Sequence, residues 1–150
     1  MRPWERRSFT AFHIVVAGTG FGYLFLKYMG NNDSPFDLIQ HPWQTPLMAI
    51  HIMAAAGFAV LFGILLRSHI LPRLRRSRPE NRVTGLIAFS SFITMALSGY
   101  LLQVSSSPSA VQIWMWTHII TGCLFVVIYT LHLVFGKRII KARQRTRAMP

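Results

Sequence analysis

The segment HIITGCLFVVIYTLH, residues 118–132, begins and ends with a histidine and carries no charged residue between them. It lies within a longer apolar run that extends from about Val111 to Phe135. A helix rises about 1.5 Å per residue, so a run of this length crosses a hydrocarbon core of about 30 Å. The segment therefore predicts a membrane-spanning helix with two imidazoles inside it.

Three further apolar runs have the length of a membrane span. The four runs cover about residues 9–28, 46–66, 83–104 and 111–135, in a chain that is 52% hydrophobic and 13% charged. Each contains the roughly 20 residues that a spanning helix needs. The sequence thus predicts an all-α integral membrane protein, a single domain over 1–150 with four transmembrane helices and a basic C-terminal tail at 137–150.

The basic residues indicate the orientation of these helices. The chain has 16 Lys and Arg against 4 Asp and Glu, a net charge of +12. All of the bases except Lys27 fall before the first run, in or beside the second connection at 67–82, or after the fourth run. The positive-inside rule places both termini and the 67–82 connection in the cytoplasm. Clusters separated by apolar runs indicate contact with membrane lipids and no role in binding nucleic acid.

The two halves of the chain resemble each other. GYLFL at 22–26 is similar to GYLLQ at 99–103, and HIMAAAG at 51–57 is similar to HIITG at 118–122. Each half is then one helical hairpin, and two parallel repeats predict a four-helix bundle with a pseudo-twofold axis along the membrane normal. Chance similarity between apolar segments is the alternative interpretation.

Four histidines lie inside the predicted spans and sort by depth. His51 and His118 lie near the outer ends of their helices, while His13 and His132 lie near the inner ends. The fourteen residues from His118 to His132 return to within about 40° of one helix face and rise about 21 Å. The fourth helix therefore presents one imidazole to each half of the bilayer.

This arrangement predicts bound haem. A bis-histidine haem takes one imidazole on each side of its plane, and helical bundles hold such cofactors between facing helices. We therefore expect two haems b, an outer one held by His51 and His118 and an inner one held by His13 and His132. These four residues are the predicted iron ligands, and no residue is assigned a catalytic role.

Other interpretations of single histidines remain open. One histidine in a span can be a hydrogen-bonded core residue or part of a proton or metal relay. The predicted spans contain no acidic residue, which favours haem over a cation relay. Cys123 is the one cysteine, and no C-x-x-C-H motif is present, so covalent haem and iron–sulfur clusters are not expected.

Two histidines are predicted to lie at the membrane surfaces. His41 falls in the outer connection, and His69 follows Arg67 in the cytoplasmic one. His69 is also the rival of His13 for the inner haem. It lies eighteen residues, or five helical turns, beyond His51 and so on the same predicted face. Arg67 should lie at the headgroups, which argues that His69 is too far from the membrane interior to bind haem.

The histidine pattern carries a family resemblance. With His13 early in the first helix, His51 in the second and the pair His118 and His132 in the fourth, the chain resembles the prokaryotic membrane di-haem cytochromes b of the b-561 type over about residues 8–136. It is also similar to the cytochrome b subunits that anchor hydrogenases and formate dehydrogenases. TGLIAFSSFITMALSGYLLQ and WTHIITGCLFVVIYTLHL look like segments of small membrane families related to these cytochromes. Compared with the larger members, this chain has short loops and no predicted fifth helix.

The resemblance implies a function. It implies electron transfer in the bacterial inner membrane between the quinone pool and a redox partner, either a cytochrome c or an iron–sulfur or other dehydrogenase subunit. The predicted position of the outer haem suggests an extracytoplasmic partner, and Asp33 and Asp37 are the acids that a basic cytochrome c would meet there. A structural or assembly subunit and a histidine-based proton or metal relay are the alternative functions.

Overall fold

The computed structural model describes residues 2–29, 41–74 and 82–147, with side chains up to residue 136. No strand occurs in these ranges. The helices are α1 at Pro3–Tyr28, α2 at Gln44–Leu65, a π-helical turn at Leu66–Ile70, α3 at Leu71–Leu74, α4 at Arg82–Val104 and α5 at Pro108–Arg147. The chain divides into two compact units, Met1–Pro72 and Arg73–Pro150, and each contains one long helical hairpin.

Four helical segments are long and apolar enough to cross a membrane. They are Pro3–Tyr28, Gln44–Leu74, Arg82–Val104 and Pro108–Gly136. Their surfaces expose large apolar side chains, among them Ile14 at 64% and Met53 at 76%. Lipid tails match such surfaces in polarity. The predicted all-α class and the four spans are confirmed.

The first helix begins six residues earlier than predicted. Pro3 occupies its first position, where the missing N–H costs nothing, and Glu5 accepts a 2.8 Å hydrogen bond from the backbone N–H of Arg2. Glu5 also accepts a 3.2 Å hydrogen bond from the Ser68 hydroxyl and is only 3% exposed. The expectation that no acid lies inside a span is therefore wrong, although Glu5 occupies the first turn, where a carboxylate favours the helix terminus.

The other helices also extend beyond the apolar runs. The second span, predicted to end near residue 66, continues through the π-helical turn to Leu74, and α5, predicted over 111–135, runs from Pro108 to Arg147. Residues 137–147 are thus a continuation of the helix rather than a separate tail. Lys, Arg, Ala and Gln sustain a helix well, and a single Gly136 costs only about 1 kcal/mol. The apolar runs end near the predicted membrane boundaries, whereas residues that favour a helix continue beyond them.

Each hairpin buries a row of aromatic side chains between antiparallel helices. In the first hairpin, formed by α1 and α2, the Phe9 and Phe58 rings lie 4.6 Å apart between centroids. In the second, formed by α4 and α5, Phe92 and Phe125 are 5.5 Å apart, and Tyr129 stacks on Phe125 at 5.6 Å. These contacts set the axial register between the two helices of each hairpin. That register determines which residues of the neighbouring helix each histidine faces.

Several predicted features lie outside the described residues. These are the docking acids Asp33 and Asp37, the loop bases Arg75, Arg76 and Arg78, and the side chains of the basic segment at 137–150.

Candidate functional site

His51 is anchored to the first helix of its own hairpin. Its Nδ1 lies 3.0 Å from the carbonyl oxygen of Val16 and 3.2 Å from Oγ1 of Thr19. A carbonyl oxygen only accepts, so Nδ1 carries the proton and donates it. The Thr19 hydroxyl donates its own proton to the Val15 carbonyl at 2.7 Å, and it can accept from the imidazole. In the neutral ring, the lone pair is then on Nε2.

His118 has the same environment in the second hairpin. Its Nδ1 donates to the Met95 carbonyl oxygen at 2.9 Å. The Ser98 hydroxyl, 2% exposed, donates to the Thr94 carbonyl at 2.8 Å and lies 3.0 Å from the Met95 carbonyl oxygen. The Thr19 hydroxyl is placed alike, with its donor bond to Val15 and a distance of 3.2 Å to the Val16 carbonyl oxygen. His51 and His118 therefore both have a fixed tautomer with the lone pair on Nε2.

Glycines make room for these rings. A Cβ placed on Gly99 would lie 2.9 Å from Cε1 of His118, and one on Gly20 would lie 3.1 Å from Cε1 of His51. Contacts under 3.0 Å are essentially never seen for a real Cβ, and 3.1 Å is tight. The imidazoles can lie this close to the neighbouring helix only because no side chain is present there.

His132 is held by a side chain instead. Its Nδ1 lies 3.1 Å from Oγ1 of Thr84 on α4, and a Cβ on Gly85 would lie 3.4 Å from its Cε1. Among the described residues, its hydrogen-bond partner is a hydroxyl, whereas His51 and His118 use main-chain carbonyl oxygens.

The two helices of the second hairpin carry matching fourteen-residue steps. On α5 the step separates His118 from His132, and on α4 it separates the dipeptides Thr84-Gly85 and Ser98-Gly99. Because the helices are antiparallel, each histidine meets one dipeptide. A third dipeptide of this type, Thr19-Gly20, faces His51. Sequence reasoning missed this hydroxyl–glycine signal, although its spacing on α4 repeats that of the histidines.

The structure also corrects the register of the internal repeat. The local environments make His51 and His118 equivalent positions, as the sequence suggested. The glycine equivalent to Gly99 is Gly20, however, and not Gly22, which the GYLFL and GYLLQ alignment had selected. The alignment had matched the Gly-Tyr pairs of the two halves. The contacts with the histidines show that the correct alignment is shifted by two residues.

His13 lies deeper along its helix than the sequence suggested. It is the eleventh residue of α1 and not about the fifth, because α1 begins at Pro3. It is 8% exposed, and its ring centroid lies 6.1 Å from that of Phe58. The ring of His51, held at the level of Thr19 and Gly20, is about 10 Å from it along the helix axis, whereas about 21 Å separates His118 from His132.

His69 and His41 lie outside this arrangement. His69 falls within the π-helical turn, where the N–H of Leu71 bonds the carbonyl of Leu66. Such a turn holds one more residue than an α-turn and shifts the helix face by about 100° over its full length. His69 lies inside the turn and takes part of this shift, so the count of five turns no longer places it on the face of His51. His41 is exposed and accepts a hydrogen bond from the Trp43 N–H at 3.2 Å.

These donors fit haem b as a cofactor. A neutral imidazole commonly binds haem iron through Nε2. The Nδ1–H of a metal-bound histidine commonly donates a hydrogen bond to a carbonyl or a hydroxyl oxygen. Each predicted pair takes one histidine from each hairpin. Among the described residues, no three His, Cys, Asp or Glu side chains gather as a metal-ion site, but a bis-histidine haem needs only two.

Comparison of the chain with family models, with curated proteins and with solved structures gives no match.

Proposed function

We propose that this protein is a di-haem cytochrome b that carries electrons across a bacterial inner membrane. His51 and His118 hold an outer haem, and His13 and His132 hold an inner one, within a four-helix bundle formed by the two hairpins. When bound, each haem supplies a one-electron Fe(II)/Fe(III) couple. Quinone and an extracytoplasmic redox protein are the proposed electron partners, in line with the family resemblance.

The observation that carries this proposal is the pair of matching fourteen-residue steps on α4 and α5. Helix α5 places two imidazoles about 21 Å apart on one face. Helix α4 engages Nδ1 of each one, through the Met95 carbonyl at 2.9 Å and the Thr84 hydroxyl at 3.1 Å. The Thr84-Gly85 and Ser98-Gly99 dipeptides beside these acceptors repeat at the same fourteen-residue step as the two rings, which suits two sites at two depths.

The tautomers favour ligation over proton relay. A relay histidine takes up a proton at one ring nitrogen and releases one at the other. In His51 and His118, Nδ1–H is held by the carbonyl oxygens of Val16 and Met95, which cannot return a proton. A ring fixed in this way presents Nε2 steadily in one direction, which is what an iron ligand requires.

The purified protein is expected to contain two non-covalent haems b per chain. Four histidines supply two axial pairs, and Cys123 is the one cysteine, so no thioether attachment can form in a C-x-x-C-H motif. Reduced-minus-oxidised spectra with pyridine haemochrome quantitation give the stoichiometry, and acid–acetone should extract all of the haem. Covalent haem, or at most one haem in fully loaded protein, would contradict the proposal.

Both termini are expected in the cytoplasm. Fifteen of the sixteen bases lie on that side, and each base near the surface favours it. Reporter fusions at positions 36 and 107 should be active outside, and fusions at positions 76 and 148 should be active in the cytoplasm. Two reporters with opposite compartment requirements serve as mutual controls. The inverse pattern would exchange the compartments that the two haems face.

A further inference from the structure

We propose that Thr84 is the positioning residue for the inner haem, because its hydroxyl accepts the Nδ1–H of His132. This inference rests on the proposed di-haem function and adds a residue outside the four ligands. Oγ1 of Thr84 lies 3.1 Å from Nδ1 of His132, and the adjacent Gly85 allows the ring to lie against α4. Iron at Nε2 requires the proton on Nδ1, so the hydroxyl is the acceptor.

The inner anchor differs in kind from the outer ones. His51 and His118 donate to main-chain carbonyls at 3.0 and 2.9 Å, groups that no side-chain substitution removes. His132 donates to a side chain in the first turn of α4, the hydroxyl of Thr84. One substitution can therefore remove this hydrogen bond while it leaves the ligand itself in place.

Removal of such a partner has two expected effects. A hydrogen bond to the nitrogen of a metal-bound histidine that does not bind the metal raises the affinity for the metal group by about 10–100-fold, because it fixes the orientation of the ring. Such a hydrogen bond also makes the imidazole a stronger donor, which favours the ferric state. Loss of the Thr84 hydroxyl should weaken binding of the inner haem by about this factor and raise the midpoint potential of the haem that remains there.

Thr19 provides a matched control in the other hairpin. Its Oγ1 lies 3.2 Å from Nδ1 of His51, almost the distance found for Thr84 and His132. His51 also donates to the Val16 carbonyl at 3.0 Å, so its proton keeps an acceptor when the hydroxyl is removed. Thr→Val is the same change at both positions, and Thr84→Val should disturb its haem more than Thr19→Val does.

The test compares wild-type full-length protein with Thr84→Val, Thr84→Ser and Thr19→Val in detergent. Haem titration, pyridine haemochrome content and a potentiometric titration are the measurements, with helicity by circular dichroism as the check on folding. We expect Thr84→Val to weaken one haem by about 10–100-fold and to raise its potential. Thr84→Ser, which keeps a hydroxyl, should bring both values back towards wild type, and Thr19→Val should change them less than Thr84→Val, because His51 keeps the Val16 carbonyl.

The outcomes separate the two proposals. Wild-type protein with two haems and an unchanged Thr84→Val variant would overturn the role of Thr84 and leave the di-haem function standing. A Thr84→Ser variant as impaired as Thr84→Val would also overturn that role, since it would show that packing and not the hydroxyl matters. Wild-type protein without haem would overturn both.

Discussion

We expect alanine at His13 to remove one of the two proposed haems and alanine at His69 to leave both in place. The sequence separated these rivals by depth, but His13 is the eleventh residue of α1, so depth alone no longer decides between them. Two other observations do. The His13 side chain is 8% exposed, whereas His69 lies in the π-helical turn that rotates it away from the face of His51.

The measurement is haem content per chain, with the spectrum and the potential of the remaining haem. His132→Ala should reproduce the loss seen in His13→Ala, because both variants remove a ligand of the inner haem. His51→Ala and His118→Ala should instead remove the outer haem and resemble each other. If His69→Ala loses a haem while His13→Ala retains two, the pairing is wrong and the di-haem function survives.

The haem content of four glycine-to-alanine variants should follow their contact distances, with loss expected at the two shortest. A Cβ at Gly99 would lie 2.9 Å from Cε1 and 3.0 Å from Nδ1 of His118, so the ring must shift and its bond to the Met95 carbonyl lengthens. Such overpacking costs about 1–3 kcal/mol, and here it displaces a ligand. Gly99→Ala should lose most of the outer haem.

The other variants complete the series. At Gly20 the nearest atom is His51 Cε1 at 3.1 Å, so part of the outer haem should be retained, and at Gly85 the 3.4 Å contact with His132 is ordinary, so the inner haem should remain. Gly18→Ala is the control because nothing lies within 4 Å of its Cβ. All four variants gain the same helix propensity, about 1 kcal/mol, so differences between them report the contacts. Full haem in Gly99→Ala would show that His118 is not fixed as described.

The length of the apolar runs was sufficient to predict the helical class and the four spans, because a helix must carry about 20 apolar residues to cross a membrane. The helix bounds were less accessible. Pro3 and Glu5 start α1 in a polar segment where an apolar criterion finds nothing, and the π-helical turn at Leu66–Ile70 has no signature in residue type. The face on which His69 lies could therefore not be derived by counting turns.

The sequence alone indicates only part of how the histidines are anchored. The hydroxyl–glycine dipeptides at 84–85 and 98–99 are visible in the sequence at the spacing of the histidines. Their meaning depends on how α4 and α5 are aligned, which is fixed by contacts such as that between Phe92 and Phe125. The same kind of contact was needed to select Gly20 over Gly22 as the counterpart of Gly99.

The main-chain acceptors of the outer histidines have a consequence for how the protein can diverge. Every residue type offers a carbonyl oxygen, so Val16 and Met95 serve His51 and His118 without their side chains taking part. Drift at these two positions preserves the anchor as long as the helix persists, whereas drift at Thr84 must retain a hydroxyl. A comparison of homologues should find variable residues at the outer acceptors, a constant glycine near each, and a choice between Thr and Ser at the inner one. Positions 16 and 95 will thus look unconstrained in an alignment, although their main-chain carbonyls anchor His51 and His118.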